Sequence, residues 1–281
     1  MRLAIEHVTR YRFSTPVPHG LQRLRLTPKV SAGQRVHRWA ITCEGAYGQV
    51  EYDDYNNNRV TLVAIAPDTS EVTLRCKGMV DTADNAGIIG EHGGFLPLWY
   101  FLRPTALTRP GPKVRALTAT AIAAANGAAS ASGGQGSTLS TLHHLTDAVR
   151  AAVAYAPGHT ASDTSAEAVL AGKIGVCQDQ AHVFIAAART MDVPARYVSG
   201  YLMMEDRTVQ DAGHAWAEAY VQGLGWVGFD IANEVCPDER YVRVATGADT
   251  REAAPVTGIH YGGAEETLNV ELAVTSQRME Q

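Results

Sequence analysis

The chain has 281 residues, 46% hydrophobic and 19% charged, which excludes a disordered or fibrous chain and leaves room for one large domain or two. A net charge of -5 with no block of Lys and Arg argues against a nucleic-acid partner. No apolar run is long enough to cross a membrane, and the N-terminus MRLAIEHVTRYRF lacks an apolar core with a small-residue cleavage site, so neither a membrane span nor a signal peptide is predicted and the cytoplasm is the expected compartment.

The first hundred residues read as strands. RLAIEHVTRYRF, LQRLRLTP, HRWAITCEG, QVEYDDYNNNRVTLVAI and SEVTLRCKGMV are short, partly alternating runs broken by Pro, Gly, Asn and Asp, the pattern of an antiparallel sheet or sandwich. DDYNNNRV predicts a hairpin turn, because Asn tolerates positive φ. Prolines 97, 104, 110 and 112 forbid a continuous helix or central strand, which places an inter-domain linker in PLWYFLRPTALTRPGP.

A helix is expected over KVRALTATAIAAAN and another over TLHHLTDAVRAAVAY, joined by GAASASGGQGSTLS (127–140), whose Gly, Ser and Ala content reads as a mobile surface loop. Thr164 through Glu167 fits a capping box for a short helix ending at Gly172. A further helix starts near Cys177 and ends by Asp192, ahead of Pro194. ARYVSGYL, HAWAEAYV and GWVGFDI then read as three strands. Helices followed by a run of strands, without a βαβ repeat, indicate an α+β fold.

The four cysteines, Cys43, Cys76, Cys177 and Cys236, form no C-x-x-C pair and suit a reducing compartment as free thiols. Cys43 and Cys76 fall in alternating strands and read as core thiols, and Cys236 is given no role. Cys177 is different because it opens a helix, and the positive end of a helix dipole favours an anion there. HAWAEAYV-QGLG-WVGFDI reads as a hairpin. A turn centred at Gln222 to Gly223 puts His214 and Asp230 roughly opposite each other, and a slip of two residues keeps them diagonal on one face. A Cys/His/Asp set has a plain chemical use. The imidazole takes the thiol proton, the carboxylate orients the imidazole and stabilises its charge, and the Cys177 N–H is an oxyanion donor.

GVCQDQAH, PARYVSGYL and GHAWAEAYVQGLGWVGFD, in that order, resemble the bacterial transglutaminase-like (papain-like) cysteine peptidase superfamily. The resemblance is strong over roughly residues 155 to 235 and weaker over the β-rich N-terminal region that often precedes such domains. It implies catalytic Cys177, His214 and Asp230. It also implies an N-terminal β-sandwich-like domain (1–100), a transglutaminase-like catalytic domain (101–255) and a C-terminal strand segment (256–281) packing back on the β regions. One departure is local: the family often reads Asp-Pro-Thr-Asn after the aspartate, where this chain has DIAN.

The activity expected from this set is hydrolysis of a peptide or isopeptide amide in a peptide or protein substrate, through a Cys177 thioester. Acyl transfer from a glutamine side chain to an amine, or its deamidation, uses the same residues. A non-catalytic peptide-binding module on the same fold is the alternative from another class, and a structural protein whose GAEETLNVELAVTSQ strand pairs between copies is a third. No cofactor and no metal are expected, since there is neither a cysteine cluster nor a His-Glu-x-x-His run. His182, one turn beyond Cys177, reads as a structural histidine bonded to a neighbouring strand. His143 and His144 point to different faces. Asp179 reads as a dipole partner and loop ligand, Trp216 and Trp226 share the hairpin face of the His–Asp pair, and Tyr155 and Trp99 are candidates for a second oxyanion donor.

Overall fold

Alternation in RLAIEHVTRYRFSTPV builds one long strand, β1 (Arg2–Val17), whose inward face changes partner along its length. Leu3 and Ile5 pack with Tyr201, Val242 and Val244 of the C-terminal half, whereas Tyr11 and Phe13 pack with Leu24, Val63 and Leu74 of the N-terminal half. The computed structural model describes residues 1–131 and 136–277. After β1 come β2 (Gly20–Leu24), β3 (Gln34–Glu44), β4 (Ala46–Asp53), β5 (Arg59–Ile65), β6 (Thr69–Thr82) and β7 (Ile88–Gly90). The turn between β4 and β5 is the hairpin expected from DDYNNNRV. Asn57 takes φ 55°, and Asp54 Oδ1 accepts from the N–H groups of Asn56 and Asn58.

The middle of the chain holds α1 (Pro112–Ala131), α2 (Thr138–Ala152), β8 (Ala154–Tyr155), α3 (Ala166–Gly172), β9 (Ile174–Gly175) and α4 (Cys177–Arg189). The remainder is β10 (Ala195–Leu202), β11 (Val209–Gln210), β12 (His214–Val221), β13 (Gly225–Phe229), β14 (Tyr241–Gly247), α5 (Thr250–Ala253), β15 (Val256–His260) and β16 (Glu266–Gln277). Three sheets result, in the orders β11-β16-β1-β6-β3, β15-β2-β5-β4 and β14-β10-β12-β13-β7, with β8 and β9 as a parallel pair. The first two face each other as a sandwich. The third carries α4 on one face, where Phe184 and Ala187 meet Ala217 and Phe229, and α1 to α3 pack around α4. The fold is α+β, with an N-terminal β region ahead of a helix-and-sheet domain.

The chain crosses between these parts in both directions. β16 pairs antiparallel with β1 from Arg2 opposite Gln277 to Phe13 opposite Glu266, and β15 pairs with β2. β7, from the N-terminal region, is the edge strand beside β13. No helix among the described residues is long and apolar enough to cross a membrane.

Three local expectations need correction. Helix α1 continues through Gly127 to Ala131, because the alanines around that glycine offset its roughly 1 kcal/mol helix penalty. α2 starts at Thr138, so much of the expected 127–140 loop is helical, and its centre, 132–135, lies outside the described residues. The cap of α3 is Ser165, whose side chain accepts from Ala168 N, and not Thr164. Glu167 instead caps α1, accepting from Lys113 N and Val114 N at 2.8 and 3.1 Å. Those amides have no carbonyl inside their own helix, and α3 lies close enough to supply one.

The proline-rich stretch is pinned to the C-terminal half. It folds into a 3-10 turn (Leu98–Leu102), and the buried Arg189 donates to the carbonyls of Phe101 and Arg103 and to Thr108 Oγ1. On the sheet face away from α4, the fully buried Glu218 accepts from Arg196 at 2.6 Å and from Arg243 at 2.6 and 3.0 Å. Glu218→Ala leaves two buried cations without a counter-charge. It is expected to cost about 3–5 kcal/mol, read as a lower denaturation midpoint with an unchanged m-value.

Candidate active site

Cys177 is the first residue of α4, just after the short strand β9 that ends in Gly175. Asp179 Oδ2 reaches back to accept from Val176 N at 2.8 Å and from Thr160 Oγ1 at 2.7 Å, tying the helix start to the loop before α3. Gly175 makes that contact possible, since a Cβ there would lie 2.8 Å from Asp179 Cβ. Asp179 is therefore the helix-start and loop ligand expected from sequence. The Cys177 side chain is only 6% exposed, and its Sγ donates to Gln178 Oε1 at 3.5 Å. Its own N–H is in the first turn, where no carbonyl four residues earlier exists to take it.

His214 opens β12 and Asp230 follows β13. The pairing is Ala217 with Phe229 and Tyr220 with Trp226, which brings residue 216 into register with 230, a slip of two residues from the register that would set His214 opposite Asp230. His214 and Asp230 are thus diagonal on one face, the second of the two registers that keep them together. His214 Nε2 lies 2.6 Å from Asp230 Oδ2. A carboxylate can only accept, so Nε2 carries hydrogen and Nδ1 is the nitrogen left to exchange a proton. Burial alone would disfavour the imidazolium. Asp230 and the Cys177 side chain outweigh it and hold the His214 pKa well above the ordinary 6.5.

Asp230 is fully buried and still ionised below its usual range. Burial opposes the charge, and His214, Asn233 and Tyr241 overcome it. Asn233 Nδ2 and Tyr241 Oη each donate to Oδ2 at 2.7 Å, while Ala232 N and Asn233 N donate to Oδ1. The DIAN sequence thus folds into a turn that wraps the Asp230 carboxylate. Its last residue bonds the carboxylate, and Ile231 packs in the core where the proline would stand.

Trp216 stacks on His214 with ring centroids 6.2 Å apart, and Tyr241 packs edge-on to Trp216 at 5.5 Å. Trp226 shares the face but sits at the far end of the hairpin. There its ring lies against the Arg196 guanidinium at 3.8 Å and packs edge-on to Phe101. Trp99 belongs to the same 3-10 turn as Phe101. Tyr220, opposite Trp226, is about 20 Å from His214 at some 3.3 Å per strand residue, so Trp99 is remote from Cys177. Tyr155 is near: burial and the charges of Cys177 and Asp230 raise its pKa.

His182 is structural and buried. Its Nε2 accepts from Thr250 N at 3.2 Å and meets Thr250 Oγ1 at 2.9 Å, so its partner is the start of α5 and not a strand. Burial pushes its pKa down to about 3. His143 packs on Phe229, while His144 faces Asp147. No group of three His, Cys, Asp or Glu side chains is placed to hold a metal ion among the described residues.

Sequence reasoning missed Asn233, Tyr241 and Gln178. Asn233 had a local signal, an Asn three residues past an Asp at a strand end. Tyr241 had none, because it comes from β14, three positions away from β13 in the sheet. Gly200 opens the way between them: a Cβ there would meet the Trp216 ring at 2.6 Å.

The profile of the Transglutaminase-like superfamily matches residues 126–231, and that of the Bacterial transglutaminase-like N-terminal region matches residues 3–81. An uncharacterised protein of Mycobacterium leprae is 29% identical over 294 residues, covering 98% of both chains. One of Mycobacterium tuberculosis is 30% identical over 285 residues, covering 95% of this chain and 90% of its own. The crystal structure of a "putative cysteine protease" from Cytophaga hutchinsonii superposes with a TM-score of 0.72 at 23% identity, covering 100% of this chain and 92% of that one.

Proposed function

The chain belongs to the transglutaminase-like superfamily, and from that premise we propose that it is a cysteine-dependent amide hydrolase that cleaves a peptide or isopeptide bond through a Cys177 thioester. The observation that carries the reading is the 2.6 Å His214–Asp230 bond beside a thiol at a helix start. In this reading Cys177 Sγ, deprotonated by His214 Nδ1, attacks the amide carbon, and the Cys177 N–H stabilises the oxyanion. His214 then returns the proton to the nitrogen, the C–N bond breaks and the amine leaves. Water next attacks the thioester carbon, giving its proton to His214. The acid is released and Sγ is restored.

Fluorogenic peptide amides offered to the purified chain test this. Release of acid and amine in equal amounts supports hydrolysis. A product joining the acyl group to an added amine would replace water with an amine as the acceptor, and no turnover would remove the enzyme reading.

Thiol reactivity gives a second expectation. Cys177 is expected to alkylate with iodoacetamide at least 10-fold faster than the other three thiols near pH 7, since in this reading His214 stands beside it to take its proton. Burial pushes Cys76 up to about 12 and also raises Cys43 and Cys236. Peptide mapping after brief labelling reads the rates, and equal modification of Cys177 and Cys236 would count against the nucleophile.

A further inference from the structure

A cavity of about 280 Å³ lies between the N-terminal sheet and the strand ends that carry His214. Tyr11 of β1 and Leu268 and Val270 of β16 form one wall, and Val244 and Val256 belong to the facing side. His214 and Gln178 stand at its catalytic end. No Asp, Glu, Lys or Arg lines it among the described residues.

Several of the polar side chains that line it are committed to neighbours. His7 Nδ1 is bonded to Tyr201 Oη at 2.9 Å and its Nε2 to Thr9 Oγ1 at 3.0 Å. Ser199 Oγ donates to Ala253 O at 2.6 Å, and Thr250 Oγ1 is bonded to His182. Burial pushes the His7 pKa down to about 4, so its ring is neutral near pH 7. The walls therefore offer mainly apolar surface, and His7, Ser199 and Thr250 on them are bonded within the protein.

We propose that this cavity receives the side chain of the substrate residue on the amine side of the cleaved bond, and that it selects an uncharged apolar or aromatic group there. The proposal rests on the thioester reading and deepens it by naming a substrate class. The side follows from which catalytic residue borders the cavity. His214, which gives its proton to the leaving nitrogen, is on the wall, whereas Cys177, which holds the acyl carbon, is not. A volume just under the roughly 300–1,000 Å³ of drug-sized sites suits one large side chain. A charged side chain would lose its hydration, and the one charged group on the wall, His214, is already paired with Asp230. The N-terminal β region then has a direct part in the site: β1 and β16 build one wall of the pocket.

The test uses the full chain, five peptides with one acyl segment and Phe, Leu, Ala, Asp or Lys on the amine side, and a second set in which the acyl-side residue is varied in the same way. The expected kcat/KM for Phe and Leu exceeds that for Asp and Lys by at least 10-fold. Val270→Trp, which fills the cavity, is expected to lower kcat/KM for the Phe peptide relative to the Ala peptide about 10-fold. Leu268→Lys, at a position 57% exposed and so safe for folding, is expected to raise the Asp peptide relative to Phe. Equal rates for all five peptides, or a preference that both variants leave unaltered, overturn the pocket, while fast Cys177 labelling keeps the thioester reading standing. A preference set by the acyl-side residue and shifted by Val270→Trp overturns the assignment of side. Failure to turn over any peptide, together with unselective labelling, removes the thioester reading and the pocket with it.

Discussion

Cys177→Ala is expected to bring amide turnover down by roughly 10⁴-fold or more, to the uncatalysed background, while leaving the fold in place. The loss is near total because no other thiol lies at the His214–Asp230 pair. Cys43 and Cys76 belong to the N-terminal sandwich, and Cys236 follows the Asp230 turn with its pKa raised by burial. Retention of the fold follows from what holds the start of α4. Asp179 ties Val176 and Thr160 to the helix, and Gln180 Nε2 donates to Val153 O at 2.9 Å. None of these contacts uses sulfur. The check is turnover of a responsive peptide amide beside thermal unfolding of the same preparation. A Cys177→Ala protein with a native melting profile and undiminished turnover would rule out the nucleophile.

Asp230→Asn is expected to cost about 10²–10⁴-fold in kcat and to narrow the pH range of activity from the alkaline side. The amide can still sit against His214 and Tyr241, but it carries no charge to support an imidazolium in a buried place. The sign follows from the shifts. In the native chain burial lowers the His214 pKa, and Asp230 and Cys177 raise it past 6.5, so the imidazolium survives through neutral pH and is lost only as pH rises through that elevated value. Asp230 is held below 3.8, so the carboxylate is present throughout the same range. Removing its charge leaves burial as the dominant influence, and the alkaline limb is expected to move toward or below pH 6.5. Matched kcat profiles from pH 5 to 10 would show the shift. An unmoved alkaline limb would separate Asp230 from the charge on His214.

The parts of this molecule that were legible in the sequence share one property: their partners are near in the chain or fixed by period. Period-two alternation gave the N-terminal strands, and Asn57 marked the hairpin. The four-residue QGLG connection put His214 and Asp230 close in register, opposite or diagonal on one face, with only a one-residue slip separating them. Cys177 could be placed at a helix start because Gly175 and the alanine-rich run after it bracket the position. What escaped came from distant pairing. Glu167 looked like a member of its own helix's capping box, but α1 needed an acceptor more. The 127–131 segment read as loop by composition, although four of its five residues are Ala or Ser and one helical turn of alanine neighbours carried it onward. Tyr241 reaches Asp230 from three strands away, and the cavity under β1 and β16 exists only once the two ends of the chain have paired. Neither has a local signature.

The central claim is a covalent acyl intermediate on Cys177, and the most direct test is rapid acid quench of the enzyme with a responsive peptide amide, followed by intact-mass measurement and peptide mapping. The account predicts a transient mass increase equal to the acyl segment, located on Cys177, absent from Cys177→Ala and appearing no later than the released amine. Turnover with no adduct at Cys177 at any quench time, and with the rate unchanged in Cys177→Ala, would contradict it.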